Sequence, residues 1–263
     1  KSGDIEKKIV YCLSIAGFDP SGGAGLSADL RVFSSLGVVG MAAATALTPQ
    51  NSGGVKLVEA VRPEILRSQL EAVYDDVKPS CAKTGQIPDI ETAREIVRIM
   101  CREKTPLVVD PVAVPTRGRR IATEECAMYV KSELLPLCSI TTPNAAEASW
   151  LSGIEVHDIR SAECAARRIA PAIAPALVIT GIIDGSRICD LFFDGRDMFK
   201  FCRKLLDIGE VHGTGCHFSS ALCAYAAMGY TLPVAVGKAG KRMQYWLLHR
   251  LLDPSGRMNI INS

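Results

Sequence analysis

A chain of 263 residues with 48% hydrophobic and 22% charged residues has the balance of one large globular domain with a substantial core. Its net charge of +2 sets up no basic field, so neither nucleic acid nor a membrane surface is expected as a partner. Ten cysteines without a Cys-x-x-Cys spacing argue against a zinc knuckle or a thioredoxin-type motif, and so many unpatterned thiols point to a reducing, cytoplasmic setting.

The opening KSGDIEKK has no apolar signal core, and residues 1–8 read as a flexible lead-in whose non-Met start suits a processed or engineered end. Ile9 to Ala16 reads as a buried strand with a glycine-rich turn after it. Leu26 to Leu36 has apolar residues at helical spacing and stops at Gly37. Val39 to Leu47 and Val55 to Val61 are strand-like, and Pro63 opens the amphipathic helix PEILRSQLEAVYDDV at a position where its missing N–H costs nothing. Strand Ser80 to Thr84, helix Ile90 to Arg102, strand 107–110 and helix Ala122 to Leu134 continue the alternation. Strand Ser139 to Thr141, a short helix from Asn144, helix Ala162 to Ile169 and strand Leu177 to Thr180 follow. Ile188 to Phe193 and Met198 to Phe201 look like an antiparallel pair, and two helices, Gly215 to Met228 and Pro233 to Leu251, close the chain. Strands alternating with helices predict an α/β fold with a mainly parallel sheet covered on both faces. No linker, repeat or compositional shift interrupts residues 1–263, which read as a single domain.

Ligands of such sheets bind at the carboxyl ends of the strands, and four segments there can carry chemistry. GFDPSGGAG, Gly17 to Gly25, allows close backbone approach beside a helix N-terminus, with Asp29 one turn further on. Neither a GxGxxG nor a GxxxxGK[ST] pattern is present, and a simple tight turn is the plainer reading. Asp110, closing the run LVVD, can hold Mg²⁺ or cap the next helix. In TPNAAEA, Asn144 and Glu147 fit a reciprocal helix cap, or a pair near phosphates and a metal-bound water. In HGTGCHFSSAL, the Gly213–Gly215 turn opens an apolar helix whose free N–H groups suit a transferring phosphoryl group. Cys216 sits in that first turn, where the helix field is expected to lower its pKa and make it a candidate base. The alternative for Cys216 is a small core residue. His217 can pack against the sheet or act, and no GxSxG turn supports a hydrolase.

DPSGGAG, LTPQN, AKTG, VVDPV, TPNAAEA and HGTGC, in this order, resemble the hydroxymethylpyrimidine/phosphomethylpyrimidine kinases of thiamine synthesis, within the ribokinase-like superfamily. The resemblance runs from about Ile9 to Leu251. It implies a three-layer αβα sandwich with a small β flap, commonly a homodimer, acting on a small hydroxymethyl heterocycle with ATP and Mg²⁺. It places substrate against Gly17, Asp29, Gln50 and Lys83, and ATP near Asn144, Thr180 and Thr214. Asp110 and Glu147 fall in its metal region, and Cys216 takes its catalytic-base position, with Gly213 and Gly215 in the anion-binding turn. Two departures stand out: Gln86 replaces a usual Met, and Thr180-Gly181-Ile182 replaces a usual Lys-Gly-Gly. The related vitamin B6 kinases are the second reading, and a ligand sensor without turnover is the third.

Overall fold

The apolar run YCLSIAGF becomes β1 (Tyr11–Phe18), paired at both edges by strands and buried on both faces by apolar layers on either side of the sheet. The protein is described here from a computed structural model covering residues 9–51, 54–112, 122–170, 172–252 and 259–263. The expectation for residues 1–8 lies outside the described residues.

After β1 come α1 (Gly25–Ser35), β2 (Val39–Leu47), β3 (Gln50–Asn51), β4 (Gly54–Val55), β5 (Glu59–Ala60) and α2 (Pro63–Asp76). Then follow β6 (Cys81–Thr84), α3 (Ile90–Glu103), β7 (Leu107–Val109), α4 (Glu124–Tyr129), β8 (Ile140–Thr141), α5 (Ala145–Ser152) and α6 (Ile159–Ile169). The chain ends with β9 (Leu177–Asp184), β10 (Arg187–Phe193), β11 (Met198–Lys204), β12 (Val211–His212), α7 (Thr214–Ala227), α8 (Leu232–His249), β13 (Leu251–Leu252) and β14 (Asn259–Ile261).

Nine strands form the main sheet in the order β11-β10-β9-β8-β7-β6-β1-β2-β5. Neighbours from β2 through β9 are parallel, and β5, β10 and β11 are antiparallel additions at the edges. The chain leaves β1 toward β2 and returns on its other side at β6, so the order reverses there and opens a crevice at the carboxyl ends. Two apolar layers cover the sheet. Residues of α2 to α6, such as Leu66, Ile96, Leu151 and Ala166, pack on one face; Val32, Phe33, Phe218, Leu222, Val236 and Trp246 of α1, α7 and α8 pack on the other.

Local chemistry sets the boundaries. Asp89 caps α3 by accepting the Thr92 N–H at 2.8 Å, while Ala93, Ile96, Ile99 and Met100 turn inward. The stretch expected as helix from Ala122 starts at Glu124, capped by Thr123, and beyond Tyr129 loosens into a π turn and a short 3₁₀ turn containing Pro136. The strand expected over Val55 to Val61 is divided: β4 pairs with β3 in a two-stranded ribbon, and β5 pairs with the end of β2. The last helix stops at His249, since Leu251–Leu252 enter a three-stranded sheet with β12 and β14. Ten unpatterned thiols were the sequence expectation; instead Cys189 and Cys202, directly opposite on β10 and β11, are joined in a disulfide. Sequence separation hid the pair because only the hairpin register brings them together.

Candidate active site

The loop after β1 is organised by Asp19, which is 1% exposed. Its carboxylate accepts the Ser21 N–H at 2.8 Å and the Ala24 N–H at 2.9 Å, and His212 Nε2 stands 3.2 Å away on the same side. Burial works to raise the Asp19 pKa, yet hydrogen bonds from His212 and Ser21 hold it below the ordinary carboxylate value. Glycine is required at two positions here. At Gly25, φ is +56° and a Cβ would lie 2.2 Å from the Gly17 carbonyl; at Gly213, φ is +78° and a Cβ would lie 1.9 Å from the Gly23 carbonyl.

Gly17 is buried at the end of β1, where a side chain would strike Gln86 Oε1 at 2.2 Å. Gln86 therefore lies across the crevice floor, its Oε1 accepting the Thr48 hydroxyl at 2.9 Å and its carbonyl accepting the Thr45 hydroxyl at 2.6 Å. Gln50 is half-buried on the β3–β4 ribbon.

Asp29 and Lys83 are brought together rather than presented to the crevice. Lys83 Nζ lies 2.8 Å from Asp29 Oδ1, and both side chains have no accessible surface. Ser220 donates to Asp29 Oδ1 at 2.7 Å and Ser14 donates to Oδ2 at 2.5 Å. Burial alone would lower the Lys83 pKa; Asp29, Cys216 and Asp110 outweigh it and raise it. In this state neither residue has surface with which to touch a substrate.

Asp110 follows β7 and Glu147 lies in the first turn of α5, 6% and 3% exposed. Asn144 Oδ1 accepts the Glu147 N–H and Glu147 Oε2 accepts the Asn144 N–H, both at 3.0 Å, so the reciprocal cap exists. That cap leaves the second carboxylate oxygen of Glu147 outside the cap hydrogen bond. Ser219 of α7 donates to Asp110 Oδ2 at 3.0 Å. Burial raises both carboxyls, Glu147 well above its ordinary value, with the charge of Asp110 adding to the effect. Two desolvated carboxylates that disfavour each other's charge are a donor set suited to a hard divalent cation. Thr180 lies beside this pair: it forms a parallel bridge with Asn144 and its N–H donates to the Pro143 carbonyl at 2.9 Å.

At the start of α7, Gly213 is the cap residue, and Thr214 and Gly215 are exposed with their N–H groups in the first turn. A Cβ on Gly215 would lie 3.8 Å from Asp110 Oδ2, so this helix end faces the carboxylate pair. Cys216 is half-buried in the first turn. Its pKa is not lowered as the helix end suggested: burial, with Asp29 and Asp110, pushes it up to about 12 against the opposing effects of Lys83 and the Gly25 N–H. Desolvation here outweighs the helix field. His217 packs rather than acts: it is fully buried, its Nδ1 lies 2.8 Å from the Gly213 carbonyl, and its ring meets Trp246 edge-on. Burial pushes its pKa down to about 4.

Asp19, Ser14, Ser219 and Ser220 escaped the sequence reading. Asp19 had a readable signal in Asp-Pro-Ser-Gly-Gly, an Asx-turn composition; the serines become meaningful only when α1 and α7 meet on the sheet.

The family model described as phosphomethylpyrimidine kinase matches residues 19–251. A hydroxymethylpyrimidine/phosphomethylpyrimidine kinase of Rhizobium meliloti is 38% identical over 253 residues, covering 94% of this chain and 92% of that protein. The crystal structure of a phosphomethylpyrimidine kinase from Clostridium difficile superposes with a TM-score of 0.79 at 31% identity, over 90% of this chain and 98% of the other. An ADP complex of Bacillus subtilis pyridoxal kinase superposes with a TM-score of 0.87 at 29% identity, over 96% of each chain.

Proposed function

The chain belongs to the phosphomethylpyrimidine kinase family, and on that premise we propose that it transfers the γ-phosphoryl group of ATP to 4-amino-5-hydroxymethyl-2-methylpyrimidine and to its monophosphate, for thiamine diphosphate synthesis. One observation carries the reading. The Asp110–Glu147 pair, the open N-terminus of α7 and Cys216 meet at the carboxyl ends of β7 and β8.

The heterocycle lies over Gly17, with Gln50 giving and accepting hydrogen bonds along its edge. Asn144, Thr180 and Thr214 line the nucleotide side. Asp110 and Glu147 would hold Mg²⁺, which when bound neutralises charge on the phosphates. The N–H groups from Gly213 to Cys216 receive the charge that grows on the transferring group's oxygens. The alcohol oxygen bonds to phosphorus as the bond to the β-phosphate oxygen breaks, and Cys216 Sγ takes the alcohol proton. Only the thiolate can accept that proton, so Cys216 must give up its own to solvent before transfer, a loss favoured by Lys83 and by any cation that neutralises Asp110. Lys83, with Asp29 behind it, stabilises the sulfur's charge from below. Gln86 and the structural likeness to a pyridoxal kinase favour pyridoxal or pyridoxine as the second reading, because a polar wall suits a hydroxylated ring.

The reading includes a homodimer and a cytoplasmic setting. Among the described residues no helix is long and apolar enough to cross a membrane. The test is ADP release with Mg-ATP and a panel of hydroxymethylpyrimidine, its monophosphate and the B6 vitamers. Preference for the pyrimidine alcohol supports the reading. A preference for pyridoxal of about tenfold or more in kcat/KM overturns it in favour of the second. No ADP release with any of them leaves a ligand sensor.

A further inference from the structure

Two loops that approach the reaction from opposite sides are fastened to each other. On the kinase reading, the loop from Asp19 to Ala24 stands on the alcohol side and the turn from His212 to Gly215 on the phosphoryl side. Their backbones touch: the Gly213 Cα faces the Gly23 carbonyl so closely that a Cβ would lie 1.9 Å from it, and a Cβ on Gly23 would lie 2.5 Å from His212 Cδ2. Across this seam runs a side-chain bond, His212 Nε2 to Asp19 Oδ2 at 3.2 Å. A carboxylate only accepts, so Nε2 carries the proton. The other Asp19 contacts close the loop on itself, through Ser21 N–H and Ala24 N–H, and its carbonyl accepts the Ser27 hydroxyl at 2.9 Å.

Both halves are braced from behind. Arg31 donates to the Gly22 carbonyl at 2.5 Å and to the Ile261 carbonyl at 3.1 Å, and His212 pairs with Ile260 on β14. On the helix side, the His217 N–H and Nδ1 both reach the Gly213 carbonyl. The clamped turn runs straight into α7, whose first turn holds Cys216. Moving the loop away from the turn therefore also frees the helix start that holds Cys216.

We infer that Asp19 is a positioning residue: through His212 it clamps the alcohol-side loop to the phosphoryl-side turn and so fixes the start of α7, which holds Cys216. This rests on the kinase reading for its catalytic consequence, but not for the clamp itself. Misplacement of reacting groups by about 1 Å costs on the order of 10²-fold in rate, so a loosened seam appears in turnover before it appears in binding.

The experiment uses Asp19→Asn, His212→Gln and the double variant in the full chain. Steady-state kinetics should show kcat lowered by about 10- to 100-fold in each single variant, with KM for Mg-ATP within about twofold. The double variant should lose no more than the worse single, since the same clamp is broken once. Independent losses that multiply, or unchanged kcat, overturn the inference. Iodoacetamide labelling followed by mass spectrometry supplies the arm that needs no activity. Half-buried Cys216 should label faster in each variant than in the parent protein, while buried Cys138 remains unlabelled. Unchanged Cys216 labelling overturns the clamp, and so does parallel labelling of Cys138, which would mean general loosening. If the parent protein releases no ADP with any alcohol, the kinase reading falls and the labelling comparison alone still decides the clamp.

Discussion

Lys83→Met isolates the buried charge pair beneath the crevice. The Lys83–Asp29 bond is 2.8 Å long with both side chains at 0% exposure, so methionine fills similar volume and removes the one cation facing Asp29. Stripping one partner from a buried pair costs about 3–5 kcal/mol, because the remaining charge stays in a site without water. Ser14 and Ser220 still donate to Asp29 in the variant, which puts the expected loss near the lower end, about 3 kcal/mol. For a chain of this size that corresponds to a fall in Tm of roughly 6–12 °C. Urea denaturation and calorimetry measure it, and Asp29→Leu combined with Lys83→Met should recover most of the loss by removing both charges. A loss below about 1 kcal/mol, the range of exposed pairs, would refute the buried-pair account.

The raised carboxyls give a pH-dependent prediction. Between the ordinary Glu value of 4.5 and the higher folded value, the native protein binds more protons than the unfolded chain, so this contribution to stability falls as pH rises through that window. Mg²⁺ added to weakly buffered protein should release protons, and Glu147→Gln should abolish most of that release; calorimetry in buffers of different ionisation heat measures it, and no release by the parent protein refutes the metal assignment. Cys216→Ala should lower kcat by about 10²–10⁴-fold with little change in ATP affinity, Cys216→Asp should restore part, and near-normal turnover of the alanine variant would remove its role as proton acceptor. Because its pKa is near 12, Cys216 should also alkylate more slowly than exposed Cys101 and Cys164. The monophosphate should be a poorer substrate than the free alcohol and Thr180→Lys should narrow the gap; equal use of both by the parent protein would show that another cation serves.

The parallel core was legible because period and punctuation agree there: IVYCLSIA, LVVD and the helix opened by Pro63 each contain one kind of pattern. Short elements were not. Val55 to Val61 read as one strand, but its two ends pair with different partners, β3 and β2, a fact held in tertiary contacts rather than in the segment. The same holds for β13 and β14, where two or three residues gain strand geometry only from each other and from β12. Asp110, Glu147 and Cys216 stand out as candidates in the sequence because each ends a strand or opens a helix. Asp29 was read as a substrate contact because its place one turn into α1 is visible in sequence, whereas its direction, toward Lys83 and Ser220, is set by the packing of α7.

That packing also explains why the Cys216 expectation failed in one respect. Lys83 is the one lysine or arginine among the buried side chains of the described residues, and Asp29 lies directly against it. Asp110 and Glu147 therefore share a region with more negative than positive charge, and Cys216 stands at its border. A helix N-terminus offers about half a positive charge, less than the combined effect of desolvation and two carboxylates on a half-covered sulfur. The deficit that raises Asp110 and Glu147 is thus the same one that keeps Cys216 protonated. Any ligand that neutralises Asp110 removes one of the influences holding the thiol proton, so readiness of the proton acceptor is linked through Asp110 to occupancy of the phosphate side. An arrangement of this kind leaves the nucleophile's proton in place until the phosphate side is filled.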